Sequence, residues 1–322
     1  MNNPQSSGSK VATKVKANRY QTLLQNLLKS PGYTLMRMTA RFSWFRNLVA
    51  SVRRVVHKNG SRTYKEQFKE KKSLFSQVNT GEFVKSLNEK GASFGLKLPN
   101  DILNSIVEYS QKSICYADRN PAFGFRLADR GDCENKIGKP ILVAQYFNTE
   151  SDCPEINKLV NDPFLQTVAS DFLGSIPKFV GVNLWWTFPV LASEEDRDKH
   201  AHFFHRDIDD FRFVKFFFYL TDVIDGDGAH VCVLGSQSSP PKDTLWKVRR
   251  YSDLEITEQY AEGDIREING SAGEGFAENT LCVHKGKTPT QMPRLLLQLQ
   301  FAMFDYGVMH DRQPTSRLRT VS

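Results

Sequence analysis

Two segments of this chain alternate between apolar and polar side chains with a period of two, a pattern that only a β-strand turns into a one-sided surface. In residues 211–221, Val214, Phe216, Phe218 and Leu220 fall on one face, opposite Phe213, Lys215, Phe217, Tyr219 and Thr221. In residues 294–302, Leu295, Leu297, Leu299 and Phe301 oppose Arg294, Leu296, Gln298 and Gln300. The wholly apolar faces need a core. The other faces allow two arrangements: an ordinary half-exposed sheet, or a barrel whose inner faces enclose a polar cavity holding Arg294 and Lys215. Further short apolar runs at 141–147, 178–188, 229–234 and 280–284, broken by Gly, Pro and Asp, extend the pattern. Helices are expected near 100–112, opened by Pro99-Asn100-Asp101, and near 156–173. Short strands preceded by helices make the expected class mainly β with helical cover (α+β), an antiparallel sandwich or barrel. Residues 235–278 read as a long excursion, a lid or insert with a short helix near 252–261.

Bulk properties narrow the setting. No window approaches eighteen apolar residues, so no membrane span is expected. The start, MNNPQSSGSKVATK, is a polar lead without the apolar stretch of a secretory signal. Five cysteines are dispersed and never in CxxC spacing, which argues for a reducing compartment, with the cytoplasm as the expected location. The net charge of +7 is unevenly spread: residues 1–72 hold sixteen Lys and Arg against two Glu, so residues 73–322 carry −7. The expected organisation is therefore a basic, partly helical N-terminal segment over 1–72 and a main domain over 73–322. Within the segment, Leu23, Leu24, Leu27 and Leu28 recur at helical spacing until Pro31-Gly32. A second stretch, 34–57, threads apolar residues such as Leu35, Met38, Leu48 and Val52 among arginines. Two readings stand for residues 17–72: peripheral contact with an anionic membrane or partner, or helices docked on the body by their apolar stripe with a solvated basic face. Nucleic acid is not the expected partner.

The most chemically pointed stretch is HFFHRDIDDFRF, residues 202–213. Its His205-Arg206-Asp207 is not a kinase catalytic loop. Such a loop needs Asn five residues after the Asp, where this chain has Arg212, and a DFG further on, which it lacks. His205 and Asp207 stand two apart before a strong strand, so both side chains reach one side and can grip one metal ion. A third ligand is expected from His284, just before a turn, and Arg294 follows ten residues later. Two imidazoles and one carboxylate on one face of an octahedron leave three positions open, as non-haem Fe(II) oxygenases require. An Arg near the distal ligand suits the far carboxylate of 2-oxoglutarate. The competing reading is a polar cluster in a metal-free protein, with Arg294 in a surface salt bridge. Lys215 and Tyr219 share the expected cavity and either contact co-substrate or satisfy buried polar groups. His202 reads as a neighbour of the ligands or a surface residue, and His200, His230 and His310 as structural. Gln145 and Trp185-Trp186 lie on strands before the motif, the tryptophans as core or as substrate contacts.

These stretches resemble the phytanoyl-CoA dioxygenase family of Fe(II)/2-oxoglutarate-dependent oxygenases. The likeness runs through HRDIDDFRFVKFFFYLTDV, DGDGAHVCVLGSQ and ENTLCVHKGKTPTQMPRLLLQLQF, and covers residues 141–304, about half the chain. It implies a double-stranded β-helix (jelly-roll, cupin-like) fold, Fe(II) on His205, Asp207 and His284, and 2-oxoglutarate anchored by Arg294. It also implies hydroxylation of a small or lipid-like molecule with O2, releasing succinate and CO2. Asp207 favours hydroxylation over halogenation, since halogenating relatives replace that carboxylate. The chain departs from the family at Gly228-Ala229-His230 and Gly235-Ser236-Gln237, where GPH and GSH are usual. The alternative function is a non-catalytic jelly-roll binding protein docked through its basic N-terminal helices.

Overall fold

The computed structural model of this chain describes residues 28–243, 249–309 and 311–321. Eight strands form the main sheet. In spatial order they are β1 (Ala92–Lys97), β9 (Glu274–Glu278), β6 (Phe213–Tyr219), β11 (Arg294–Ala302), β5 (Lys178–Thr187), β4 (Val143–Tyr146), β2 (Ile114–Ala117) and β3 (Gly124–Arg126). A second sheet holds β10 (His284–Gly286), β7 (His230–Val233) and β8 (Ile265–Ile268). It gains an edge from residues 204–205, because His205 and His284 exchange both backbone N–H···O bonds at 2.9 Å. From β5 onward the chain steps from sheet to sheet. β5 is in the main sheet, His205 in the second, β6 in the main, β7 and β8 in the second, then β9, β10 and β11 alternate. This alternation is the double-stranded β-helix, and the class is the expected α+β.

The two alternating segments are β6 and β11, paired antiparallel with Leu297 opposite Phe218. Val214, Phe216, Phe218, Leu295, Leu297, Leu299 and Phe301 all join the largest apolar core, on the side covered by the helices at 80–90, 100–112 and 163–173. The opposite faces look toward the second sheet. Phe218 is fully buried and stacks on Phe75 at 5.7 Å. Phe218→Ala would leave a cavity the flanking strands cannot close. The expected loss, read by urea unfolding, is about 3–5 kcal/mol.

Several elements differ from expectation for identifiable reasons. The helix expected over 156–173 is two, Pro154–Val160 and Pro163–Leu173. Asp162 breaks it by accepting hydrogen bonds from the Phe164 and Leu165 amides, with Pro163 opening the second helix. The helix expected over 34–57 is likewise divided into α1 (Pro31–Thr39) and α2 (Ser43–Val56), followed by α3 (Lys58–Glu66). Arg46 stabilises that break by donating to the Ala40 carbonyl at 2.6 Å. Pro31 opens α1; the polar lead and nearly all of the expected leucine helix lie outside the described residues. The strand expected at 280–284 begins only at His284, because the Cys282 amide turns back to the Asn279 carbonyl.

Among the described residues, the lid or insert expected over 235–278 is built into both sheets. Its second half supplies β8 and β9, one to each sheet. In its first half, Tyr251 and Ile256 cover Val231, Val233 and Val283 on the outer face of the second sheet. The apolar residues at these positions demanded burial, and sequence length alone did not show it. All five cysteines are buried and free. No helix among the described residues is long and apolar enough to cross a membrane.

Candidate metal and co-substrate site

Between the two sheets lies a cavity of about 270 Å³. Arg294, Leu296, Gln298 and Gln300 of β11 all line it, with Lys215 and Phe217 of β6, so the inward-facing barrel is the correct reading of the polar faces. His205, Asp207 and His284 meet at one end. Their ligand-type atoms lie within 4.8 Å of one another. His205 Nε2 is 3.6 Å from Asp207 Oδ1, and His284 Nε2 is 3.5 Å from Asp207 Oδ2.

Backbone pairing builds this convergence. The His205–His284 bridge sets the rings 4.2 Å apart, and the Asp207 amide donates to the Thr280 carbonyl. Each imidazole pairs its Nδ1 with a main-chain carbonyl, Phe203 at 2.9 Å and Cys282 at 3.0 Å. Those bonds fix the rings and turn both Nε2 atoms toward Asp207, as a main-chain acceptor on Nδ1 does for a histidine that can bind metal through Nε2. Burial would raise the Asp207 carboxyl, but Lys215, His284 and His205 hold it well below the usual range. Burial lowers His205, whereas at His284 Asp207 and Glu278 outweigh burial and raise it to about 9. A cation taking Nε2 of His284 therefore displaces a proton, and the carboxylates that favour the proton also favour the metal.

Arg294 is buried and reaches the Gly228 carbonyl and, at 3.4 Å, the Thr187 hydroxyl. Among the described residues it pairs with no carboxylate, and its buried Nε has no partner. A buried cation without an anion is costly to the fold. Gly228 sits at φ +77°, where a Cβ would strike Pro289 at 2.7 Å, so the departure after it (Ala229) spares the glycine that presents this carbonyl.

Lys215 bonds the Asp207 carboxylate instead of standing free for co-substrate: Nζ is 2.6 Å from Asp207 Oδ2 and 3.0 Å from Asp209 Oδ2. Tyr219 stands apart. Its hydroxyl donates to the Ile268 carbonyl and accepts from the His230 amide, and it does not line the cavity. The tryptophans divide. Trp185 lines the cavity, while Trp186 stacks on Phe188 and donates to Tyr146 in the core. Gln145 acts behind the wall, donating to Asn183.

Sequence reasoning missed several lining residues, among them Asn183 and Asp209. His200 and His230, read as structural, both border the cavity. His230 pairs with buried Glu278 at 2.6 Å and stacks on the His284 ring. His202 is buried rather than on the surface, bonds Thr288, and is lowered to about 3, chiefly by burial and then by Arg294. Arg119 carried no sequence signal. It reaches the cavity from the Asp118-Arg119 turn, where both residues adopt φ of 51° and 61°. Lys139 at 2.6 Å from Asp118 helps hold that turn. None of the described residues in 235–278 lines the cavity.

The sequence matches no protein-family model and no curated protein. Solved structures overlap it partially. The non-haem α-ketoglutarate-dependent epimerase SnoN from nogalamycin biosynthesis is 12% identical, with 69% of this chain and 81% of that chain covered at a TM-score of 0.45. EvdO2 from Micromonospora carbonacea var. aurantiaca is 14% identical, over 70% and 91%, at 0.46. HygX from Streptomyces hygroscopicus, with nickel, 2-oxoglutarate and hygromycin B bound, is 13% identical, over 68% and 86%, at 0.46. Overlaps this partial decide neither chemistry nor substrate.

Proposed function

We propose that this chain is an Fe(II)- and 2-oxoglutarate-dependent dioxygenase that hydroxylates a small polar molecule. The balance is one C–H bond, one 2-oxoglutarate and one O2 giving one C–OH, succinate and CO2. The observation that carries the reading is the donor set: two imidazoles, oriented through Nδ1, and one carboxylate, converging in the cavity between the sheets. When bound there, iron supplies the activation of O2 that couples decarboxylation to C–H oxidation. The chain's own residues do the rest. His205, Asp207 and His284 would hold the metal, with Lys215 fixing the second oxygen of the Asp207 carboxylate. Arg294 would clamp the far carboxylate of 2-oxoglutarate, and Trp185 and Leu296 help exclude water.

The remaining wall favours a polar substrate over a lipid-like one. Asn183, Gln298, Gln300, Asp209 and Arg119 surround the space. Arg119 forms no ion pair among the described residues, and its guanidinium lies 5.9 Å from the Trp185 ring centre. It is placed to take an acidic group of the substrate. Air-dependent succinate release by Fe(II)-loaded protein, screened against carboxylated and neutral small molecules, tests this. Stimulating compounds should carry an acidic group, and Arg119→Gln should raise the concentration needed about 10- to 100-fold, as loss of a charged hydrogen bond predicts. Absence of succinate under every condition would favour the non-catalytic binding protein instead.

A further inference from the structure

α2 is packed inside out. Two of its three arginines turn inward: Arg46 is buried against the Ala40 carbonyl, and Arg53 donates to the Met303 carbonyl and lies 4.4 Å over the Phe304 ring. Its apolar side faces outward. Trp44 is 66% exposed, Leu48 52%, Val52 55%, Val55 76% and Val56 70%. Leu35 of α1 continues the stripe at 60%. The helices do dock on the body, through Met36, Ala40, Phe45 and Ala50 together with Arg46 and Arg53, but the stripe of Leu48, Val52, Val55 and Val56 is left facing outward. Isolated exposed apolar residues need no explanation, but a contiguous stripe of this size on one helix marks a surface that something covers.

Charge selects the occupant. Residues 1–65 contain thirteen Lys and Arg and no Asp or Glu. Arg37 of α1 and Arg54 of α2 are exposed, as are Lys58 and Arg62 of the adjoining α3. A protein partner or second copy meeting this face would have to answer an apolar stripe set among cations with no acid of its own. A bilayer surface with anionic headgroups offers both halves at once, an apolar layer beneath negative charge. We infer that α1 and α2 form a peripheral docking surface for an anionic membrane. The stripe is held rigidly. Met36 and Ala40 pack on Ile208, and Phe45 meets Phe211 at 5.8 Å, so the docking surface is anchored to the loop that follows Asp207.

This inference does not depend on the proposed chemistry, and vesicle binding reads it without turnover. Full-length protein would be sedimented with vesicles of 30% phosphatidylglycerol in phosphatidylcholine, and with pure phosphatidylcholine. Leu48→Glu/Val55→Glu serves as the altered surface, both positions being exposed so that the fold survives, as a matching melting temperature would verify. The expected result is binding to the anionic vesicles that falls at least tenfold in the double variant, falls as far on pure phosphatidylcholine, and weakens with added salt. Equal binding by variant and wild type, or none by either, overturns it. So does a wild-type dimer in light scattering that the variant abolishes, which would assign the stripe to a second copy.

Discussion

His284→Ala should abolish stoichiometric Fe(II) binding while leaving the fold intact. The residue supplies one of three donors, and its backbone, not its ring, makes the bridge to His205. Alanine keeps that bridge and removes the imidazole, with its bond to the Cys282 carbonyl and its contacts with Asp207, His205 and His230. Losing a partner behind a ligand costs 10–100-fold in metal affinity, so losing the ligand itself should exceed about 100-fold. Equilibrium dialysis under argon, with melting curves of both proteins, separates this from misfolding. Unchanged iron affinity in a folded variant would move the metal elsewhere.

Arg294→Ala should spare the metal and remove the co-substrate. Truncating one partner of a buried charge pair costs about 2–5 kcal/mol, or roughly 30- to 5,000-fold in Kd. The side chain starts β11 and points between the sheets, where its guanidinium meets only neutral oxygens from the protein. Arg294→Lys should recover part of the loss, since it keeps the charge without the planar fork. Calorimetric titration of 2-oxoglutarate into metal-loaded wild type and variants reads this directly. Equal affinities in all three would mean that another cation, Arg119 or Lys215, receives the co-substrate.

What could be read in the sequence was whatever a period of two or a fixed spacing encodes. β6 and β11 declared their buried and cavity-facing sides residue by residue, because alternation maps onto the two faces of a sheet without further information. The convergence of three donor side chains was legible for the same reason: His205 and Asp207 are two apart, and His284 stands beside a turn. Tyr219 faces the same side as Lys215 yet misses the cavity, since the second sheet closes over that end of β6 and its hydroxyl is taken by main-chain groups. Arg119 was invisible because a turn, not a strand, aims it. The excursion over 235–278 was misread because β8 and β9 are short, and their pairing partners lie far away in sequence. The outward stripe of α2 could not be foreseen either, as periodicity shows that a helix has two faces but not which one meets the body.

The central claim is that side chains from two distant segments close on one ferrous ion, with the keto acid held beside it. Crystals soaked without oxygen in Fe(II) and 2-oxoglutarate, measured on both sides of the iron absorption edge, test it most directly. The account predicts one anomalous peak between His205 Nε2, His284 Nε2 and the Asp207 carboxylate, with a 2-oxoglutarate carboxylate on Arg294. An empty pocket, or iron bound by any other set of side chains, would contradict it.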